Sequence, residues 1–149
     1  MVTDVGRAPS AGDVAEATLV ICKPDAVERG LVGEIIGRLE GRGLRLVRAE
    51  LRHLDKETAA AHYREHVGKS FYESLIEYIT RSPVLVAAVE GPAGTWQVVR
   101  RTIGATNPAE AEPGTIRGDL ALTTEENLVH GSDSAESARR ELGLFFPGL

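Results

Sequence analysis

The run Thr18-Leu-Val-Ile-Cys22 is unbroken in its hydrophobicity and stops at Lys23-Pro24, which predicts a buried strand ended by a proline. Leu31, Val32, Ile35, Ile36 and Leu39 then recur at helical spacing until Gly41 and Gly43 stop the helix. Val47, Ala49 and Leu51 alternate with Arg48, Glu50 and Arg52, the pattern of a strand with one wet face. Asp55 is placed to cap a short helix running through three alanines to about His66. Ser70 and Glu73 have the spacing of a capping box ahead of a helix through Leu75, Ile76 and Ile79. Pro83 opens the apolar run Val84 to Val89, which predicts a central strand covered on both sides. After Gly91-Pro92, Trp96, Val99 and Ile103 fall on one helical face. Residues 104–118 carry glycines and prolines with almost no apolar periodicity, and a loop of that length in a small domain is functional or disordered. Leu128 to His130 predicts a short strand, and Asp133 with Glu136 predicts the cap of a last helix bearing Ala138 and Leu142.

The element order is that of an α/β (α+β) sandwich: a ferredoxin-like βαββαβ antiparallel sheet with added helices and a long loop at 104–118. Helices are expected on one face of the sheet, the other being left open or used for subunit contacts. Residues 1–17, rich in Gly, Ala, Asp and Ser, are expected to form a disordered leader, and 18–149 a single domain.

Composition narrows the class without naming a chemistry. The 149 residues suit one core, and 42 % hydrophobic with 26 % charged residues is an ordinary globular mix. No apolar run reaches the roughly 18 residues of a membrane span, and no signal-peptide core stands near the start, so a cytoplasmic protein is expected. The net charge of −5 speaks against sequence-independent nucleic-acid binding, though not against nucleotides. Cys22 is the sole cysteine and reads as a small buried hydrophobe.

The sharpest chemical segment is Asn127-Leu-Val-His130-Gly131-Ser132-Asp133-Ser134, a histidine at a strand end ahead of a helix start. It fits a nucleophilic imidazole beside helix N–H groups that favour a phosphate. It fits equally a structural histidine followed by an ordinary cap. A Ser–His–Asp hydrolase from His130, Ser132 and Asp133 lacks a nucleophile elbow. His62 and His66 share a helix face, but Tyr63 stands where a metalloprotease needs Glu.

Taken with the segments Lys23-Pro24-Asp25, Arg29-Gly30-Leu31-Val32-Gly33, His62-Tyr63 and the loop from Thr106-Asn107-Pro108 to Arg117-Gly118-Asp119, the His130 segment resembles the nucleoside diphosphate kinase family over nearly all of 18–149. The resemblance implies ping-pong exchange of a γ-phosphate between nucleoside triphosphates and diphosphates, maintaining NTP and dNTP pools. His130 would carry the phosphate, and Glu141 would hold its other ring nitrogen. Arg100 and Arg117 would grip phosphates, with Thr106, Tyr63, His66 and Ser132 as further donors. Lys23, a cation where parallel strands present ligand groups, would reach the ribose and the transferring phosphate, with Asn127 on the ribose. Phe71 and Leu75 would hold the base against Thr124, unless Phe71 is core. Mg²⁺ would ride mainly on the phosphates, reached by Asp133 through water. A homo-oligomer follows from the resemblance, a hexamer ahead of a tetramer. A non-catalytic binding module is the rival reading, against which stands the complete set of His130, Lys23, Arg100, Arg117, Asn127 and Glu141.

The sequence departs from the family around the base clamp. Ser70, Tyr72, Glu73 and Ser74 replace more usual residues beside Phe71, and Glu125-Glu126 precedes Asn127. Two added carboxylates near a polyphosphate site would weaken binding unless turned outward.

Overall fold

A computed structural model describes residues 15–149, so most of the expected leader, 1–14, lies outside the described residues. The first strand, β1 (Glu16–Cys22), starts two residues before the apolar run. It is followed by a short helix α1 (Pro24–Glu28), then α2 (Val32–Gly41), β2 (Arg45–Arg52), α3 (Lys56–His62), α4 (Tyr72–Thr80), β3 (Val84–Gly91), α5 (Thr95–Ile103), α6 (Ile116–Leu120), β4 (Val129–Gly131) and α7 (Ala135–Phe145). The four strands form one sheet in the order β2-β3-β1-β4, with every pairing antiparallel. This is the ferredoxin-like arrangement that the element order predicts.

Helices cover both faces, not one. Val20, Cys22, Ala87 and Val89 pack with α2 and α5 on one side. Leu19, Ile21, Val86 and Ala88 pack under α3, α4 and the Phe145-Phe146 end of α7 on the other. Alternate residues of β1 and β3 therefore feed two cores, which is why those strands read as continuous apolar runs.

Strand β2 lies at the sheet edge, and its alternation is misleading. A bulge between Leu46 and Arg48 shifts the register. Leu51 ends up 64 % exposed, beyond the reach of the covering helices. The polar set instead lies over apolar surface, with the Arg48 and Arg52 guanidinium groups 5.1 and 5.4 Å from the Phe146 and Phe145 ring centres.

Two predicted caps shift. The Asp55 side chain accepts the Thr58 N–H as expected. Helix α4, however, starts at Tyr72 with Phe71 at its N-cap and no side-chain cap, so Ser70 and Glu73 form no capping box. Helix α7 is capped by Ser134, which accepts the Ser137 N–H, rather than by Asp133. The 104–118 loop is likewise shorter than predicted. A 3₁₀ turn at Pro108–Glu110 and helix α6 occupy part of it, each capped by a side chain, Asn107 and Thr115.

Candidate functional site

A cavity of about 770 Å³ opens between β4, α7, the α3–α4 segment and the segment before β4, within the size range of nucleotide-sized ligand sites. All the sequence-predicted site residues line it except Ser132. Its floor is the imidazole of His130, from β4. Lys23 follows the end of β1, whose neighbours β3 and β4 are antiparallel, so its position does not come from a parallel sheet. It stands there because its backbone N–H is bonded to the Leu128 carbonyl at 2.8 Å, fastening the end of β1 to the approach to β4.

His130 Nε2 lies 2.8 Å from Glu141 Oε1. Ser132 Oγ donates to the same oxygen at 2.7 Å and accepts the Leu19 N–H at 3.4 Å. Ser132 is wholly buried behind the histidine, braced against the carboxylate rather than facing the cavity. Glu141 reaches this spot from the second turn of α7. Its burial favours protonation, but the hydrogen bonds from His130 and Ser132, with the pull of the His130 imidazole, bring its pKa down to about 2. A charged Glu141 accepts the Nε2 proton, which leaves Nδ1 with the lone pair.

Around this imidazole stand the cations Lys23, Arg100 and Arg117, on a lining that also carries the carboxylates of Glu65, Glu125, Glu126 and Asp133. Lys23 Nζ donates to Asn127 Oδ1 at 2.8 Å, and Asn127 Nδ2 donates to the Thr106 carbonyl at 2.9 Å. Burial, then the charge of Arg117 and, against an opposing pull from Asp25, that of Arg100, push the Lys23 amine down to about 7. Burial and the Arg100 guanidinium push Arg117 to about 10. Arg117 spends donors on the carbonyls of Asn127, Gly104 and Val129, and Arg100 donates to the Gly131 carbonyl. Cations pressed together until they repel are a site short of an anion. Tyr63, whose buried hydroxyl has no hydrogen-bond partner among the described residues, lines the same space. Burial raises the Tyr63 phenol and, with the Lys69 charge, lowers His66.

At the mouth Phe71 is 49 % exposed, which removes it from the core. Its ring meets His66 edge-on at 5.4 Å, with Leu75 and Thr124 on the same cavity. Glu126 is held by Arg81 at 2.7 Å, an ion pair shared with Glu28, so one of the two unusual carboxylates already has a counter-charge. Glu125 and Asp133 are exposed on the lining.

Other contributors are assigned no role in the site by the sequence. Asp25 accepts from the Tyr78 hydroxyl and from the Leu128 N–H, fixing Leu128 in the left-handed conformation at φ 72°. Arg81 and Tyr78 also line the cavity, and His62 lies against His130. These links span the chain, so no local spacing announces them. Among the described residues no helix is long and apolar enough to cross a membrane.

The family model described as nucleoside diphosphate kinase matches residues 16–149. A nucleoside diphosphate kinase of Thermomicrobium roseum is 60 % identical over 131 residues, covering 88 % of this chain and 87 % of that protein. One from Mycolicibacterium paratuberculosis is 58 % identical over 135 residues, covering 90 % and 98 %. Among solved structures, a halophilic nucleoside diphosphate kinase from Halobacterium salinarum in complex with CDP superposes with a TM-score of 0.86 at 44 % identity, over 89 % of this chain and 88 % of that one.

Proposed function

The chain belongs to the nucleoside diphosphate kinase family and transfers phosphate between nucleotides; from that premise we propose that the transfer runs through His130 by a ping-pong mechanism. The observation that carries this reading is the 2.8 Å contact of His130 Nε2 with a charged, buried Glu141. It leaves Nδ1 as the nucleophile, with Ser132 holding the carboxylate in place. Nδ1 attacks the γ-phosphorus of the donor as the bond to the β-phosphate oxygen breaks. The nucleoside diphosphate leaves, and a second one takes the phosphate by the reverse step. Because donor and acceptor use one pocket, the protein's work is positioning and charge stabilisation.

Lys23, Arg100 and Arg117 supply the positive field for the phosphates, and Tyr63, His66 and Thr106 supply donors. Asn127 orients Lys23 and faces the ribose. Phe71, Leu75 and Thr124 hold the base by stacking and apolar contact, which accepts any base.

The family works with a divalent metal, which we take to be Mg²⁺. The donor set fits an ion bound chiefly by phosphates and water, since Asp133 is an exposed carboxylate on the lining beside His130. When bound, Mg²⁺ neutralises developing charge on the phosphate oxygens. We place the enzyme in the cytoplasm as a homo-oligomer, a hexamer ahead of a tetramer, a reading supported by the open β2 edge with its exposed Leu51.

Incubation with γ-labelled ATP and Mg²⁺ without acceptor tests the mechanism. The expected label is acid-labile and base-stable, is discharged by GDP and is absent from His130→Ala. Retention of most exchange activity in His130→Ala would exclude the phosphohistidine.

A further inference from the structure

His62 is the cavity group that this reaction leaves unused. It is 4 % exposed, and neither ring nitrogen has a hydrogen-bond partner among the described residues. Buried polar atoms left without partners are costly and rare in folded proteins, so an imidazole kept this way is an open set of donors. Burial, reinforced by the neighbouring His130 ring, pushes its pKa to about 3, which keeps it neutral, the form that binds metals. Its ring meets that of His130 edge-on, 4.7 Å between centres. One nitrogen of each histidine and one oxygen of Glu141 lie within 4.8 Å of one another.

We propose that His62, His130 and Glu141 form an inhibitory site for a zinc-like divalent ion, completed by water. Two imidazoles and a carboxylate form a donor set suited to zinc. At zinc's bond lengths of about 2.0–2.2 Å, tetrahedral ligand atoms sit on the order of 3.3 Å apart. The widest pair must therefore close by up to about 1.5 Å from the 4.8 Å spread, and for an ion on His130 Nε2 the 2.8 Å pair with Glu141 must open by about half an ångström.

The basic surroundings decide which ion enters. Lys23, Arg100 and Arg140 oppose any cation, and a hard ion held by charge alone has too little to gain from one carboxylate. Zinc bonds to imidazole nitrogen strongly enough to overcome that field, so Mg²⁺ stays with the phosphates while zinc takes the triad. An ion on His130 Nε2 replaces that nitrogen's proton, which moves to Nδ1 and occupies the attacking lone pair. An ion on Nδ1 occupies it directly. Either way the imidazole is no longer a nucleophile; the inhibition, though not the binding, rests on His130 being the phosphate acceptor.

The test is calorimetric titration of the nucleotide-free full chain with Zn²⁺, alongside Co²⁺ as a visible-absorption probe of coordination. We expect one ion per chain with Kd on the order of micromolar or tighter, tetrahedral cobalt bands, and at least about tenfold weaker binding in both His62→Gln and Glu141→Gln. His53→Gln, which alters an exposed histidine bonded to the Thr80 carbonyl, should leave the affinity unchanged. Zinc loaded before ATP, with Mg²⁺ in excess, should block labelling of His130. No saturable zinc binding, or binding indifferent to both His62→Gln and Glu141→Gln, overturns the site; the Glu141 variant decides if the His62 variant does not fold. Zinc binding that leaves labelling intact overturns the inhibition. Failure of labelling without zinc would instead count against the phosphohistidine itself.

Discussion

Asp25 Oδ2 accepts the backbone N–H of Leu128 at 3.0 Å, joining positions 103 residues apart at the point where the chain turns into β4. Its other oxygen takes the Tyr78 hydroxyl, so one buried carboxylate fixes both the approach to His130 and one side of the cavity. Asp25→Ala leaves a buried N–H unpaired beside a left-handed leucine, and should cost about 1–3 kcal/mol in urea unfolding. Asp25→Asn retains an acceptor for that N–H and an amide for the phenol, and should cost less. Equal losses for the two variants would mean that the hydrogen bond to Leu128 contributes little.

Glu141→Gln keeps the shape beside His130 Nε2 but removes the charge. Phosphorylation of His130 should slow by about 10–100-fold, the range seen when the partner orienting a functional imidazole is lost. ADP binding should stay near the wild-type value, because Glu141 stands behind the imidazole. Single-turnover labelling separates the two effects, and an unchanged labelling rate would remove Glu141 from the mechanism.

Burial, with the charge of Arg117, brings the Lys23 amine down to about 7, against 10.5 for an ordinary lysine. Between those values the folded amine is neutral while the unfolded chain holds its proton, so this group makes the protein more stable as pH rises through that window. Anionic phosphates favour the charged amine. Binding of ADP at about pH 8.5 should therefore draw in a proton, read by calorimetry in buffers of different ionisation enthalpy. Lys23→Met should abolish that uptake; uptake that persists in the variant must come from another group.

Acid should unfold the protein in stages set by the same triad. His62 is held at about 3 against 6.5, and Glu141 at about 2 against 4.5. In each case the unfolded chain takes up a proton that the folded one resists. Their contributions are complete above 6.5 and 4.5 respectively, and are lost as pH falls through the folded values. Denaturant midpoints measured from pH 7 to pH 4 should fall steeply, and His62→Gln should flatten the upper part of the fall. A parallel slope in that variant would show that His62 does not carry it.

Gly118 packs so closely that a Cβ there would overlap the Glu112 carbonyl, beside the loop's capping Thr115. Gly118→Ala should cost about 1–3 kcal/mol through overpacking. It should also weaken ADP binding, because the adjoining Arg117 is anchored through this turn. Unaltered ADP affinity would show that the turn and the arginine are independent.

Much of the architecture can be read from the chain because its signals are local. Proline before β3, apolar runs in β1 and β3, and aspartate ahead of α3 act within a few residues. The signals fail where the structure depends on distance. Val47, Ala49 and Leu51 alternate correctly, yet a bulge and the sheet edge leave Leu51 in solvent. Ser132 resembles a phosphate donor by its place after a strand, and only the fold of α7 against β1 turns it to Glu141. Tyr78 and Arg81 were invisible as cavity-building residues, and Asp25 showed only as part of a motif, because their partners lie in other elements. His130, the proposed phosphate acceptor, was legible because its motif is local and stands among other motifs in family order, whereas the scaffold that aims it is not local.

The bonds that assemble the cavity join Leu19 to Ser132, Lys23 to Asn127 and Asp25 to Leu128, over 113, 104 and 103 residues. Closing such long loops is the slow part of folding, since their entropy is lost before the contacts reward it. A partly folded chain with β2 and β3 paired would possess a sheet but no workplace for phosphate. Catalytic competence should thus arrive with the last long-range pairing rather than accumulate gradually, making regained activity a clock for β1 meeting β4.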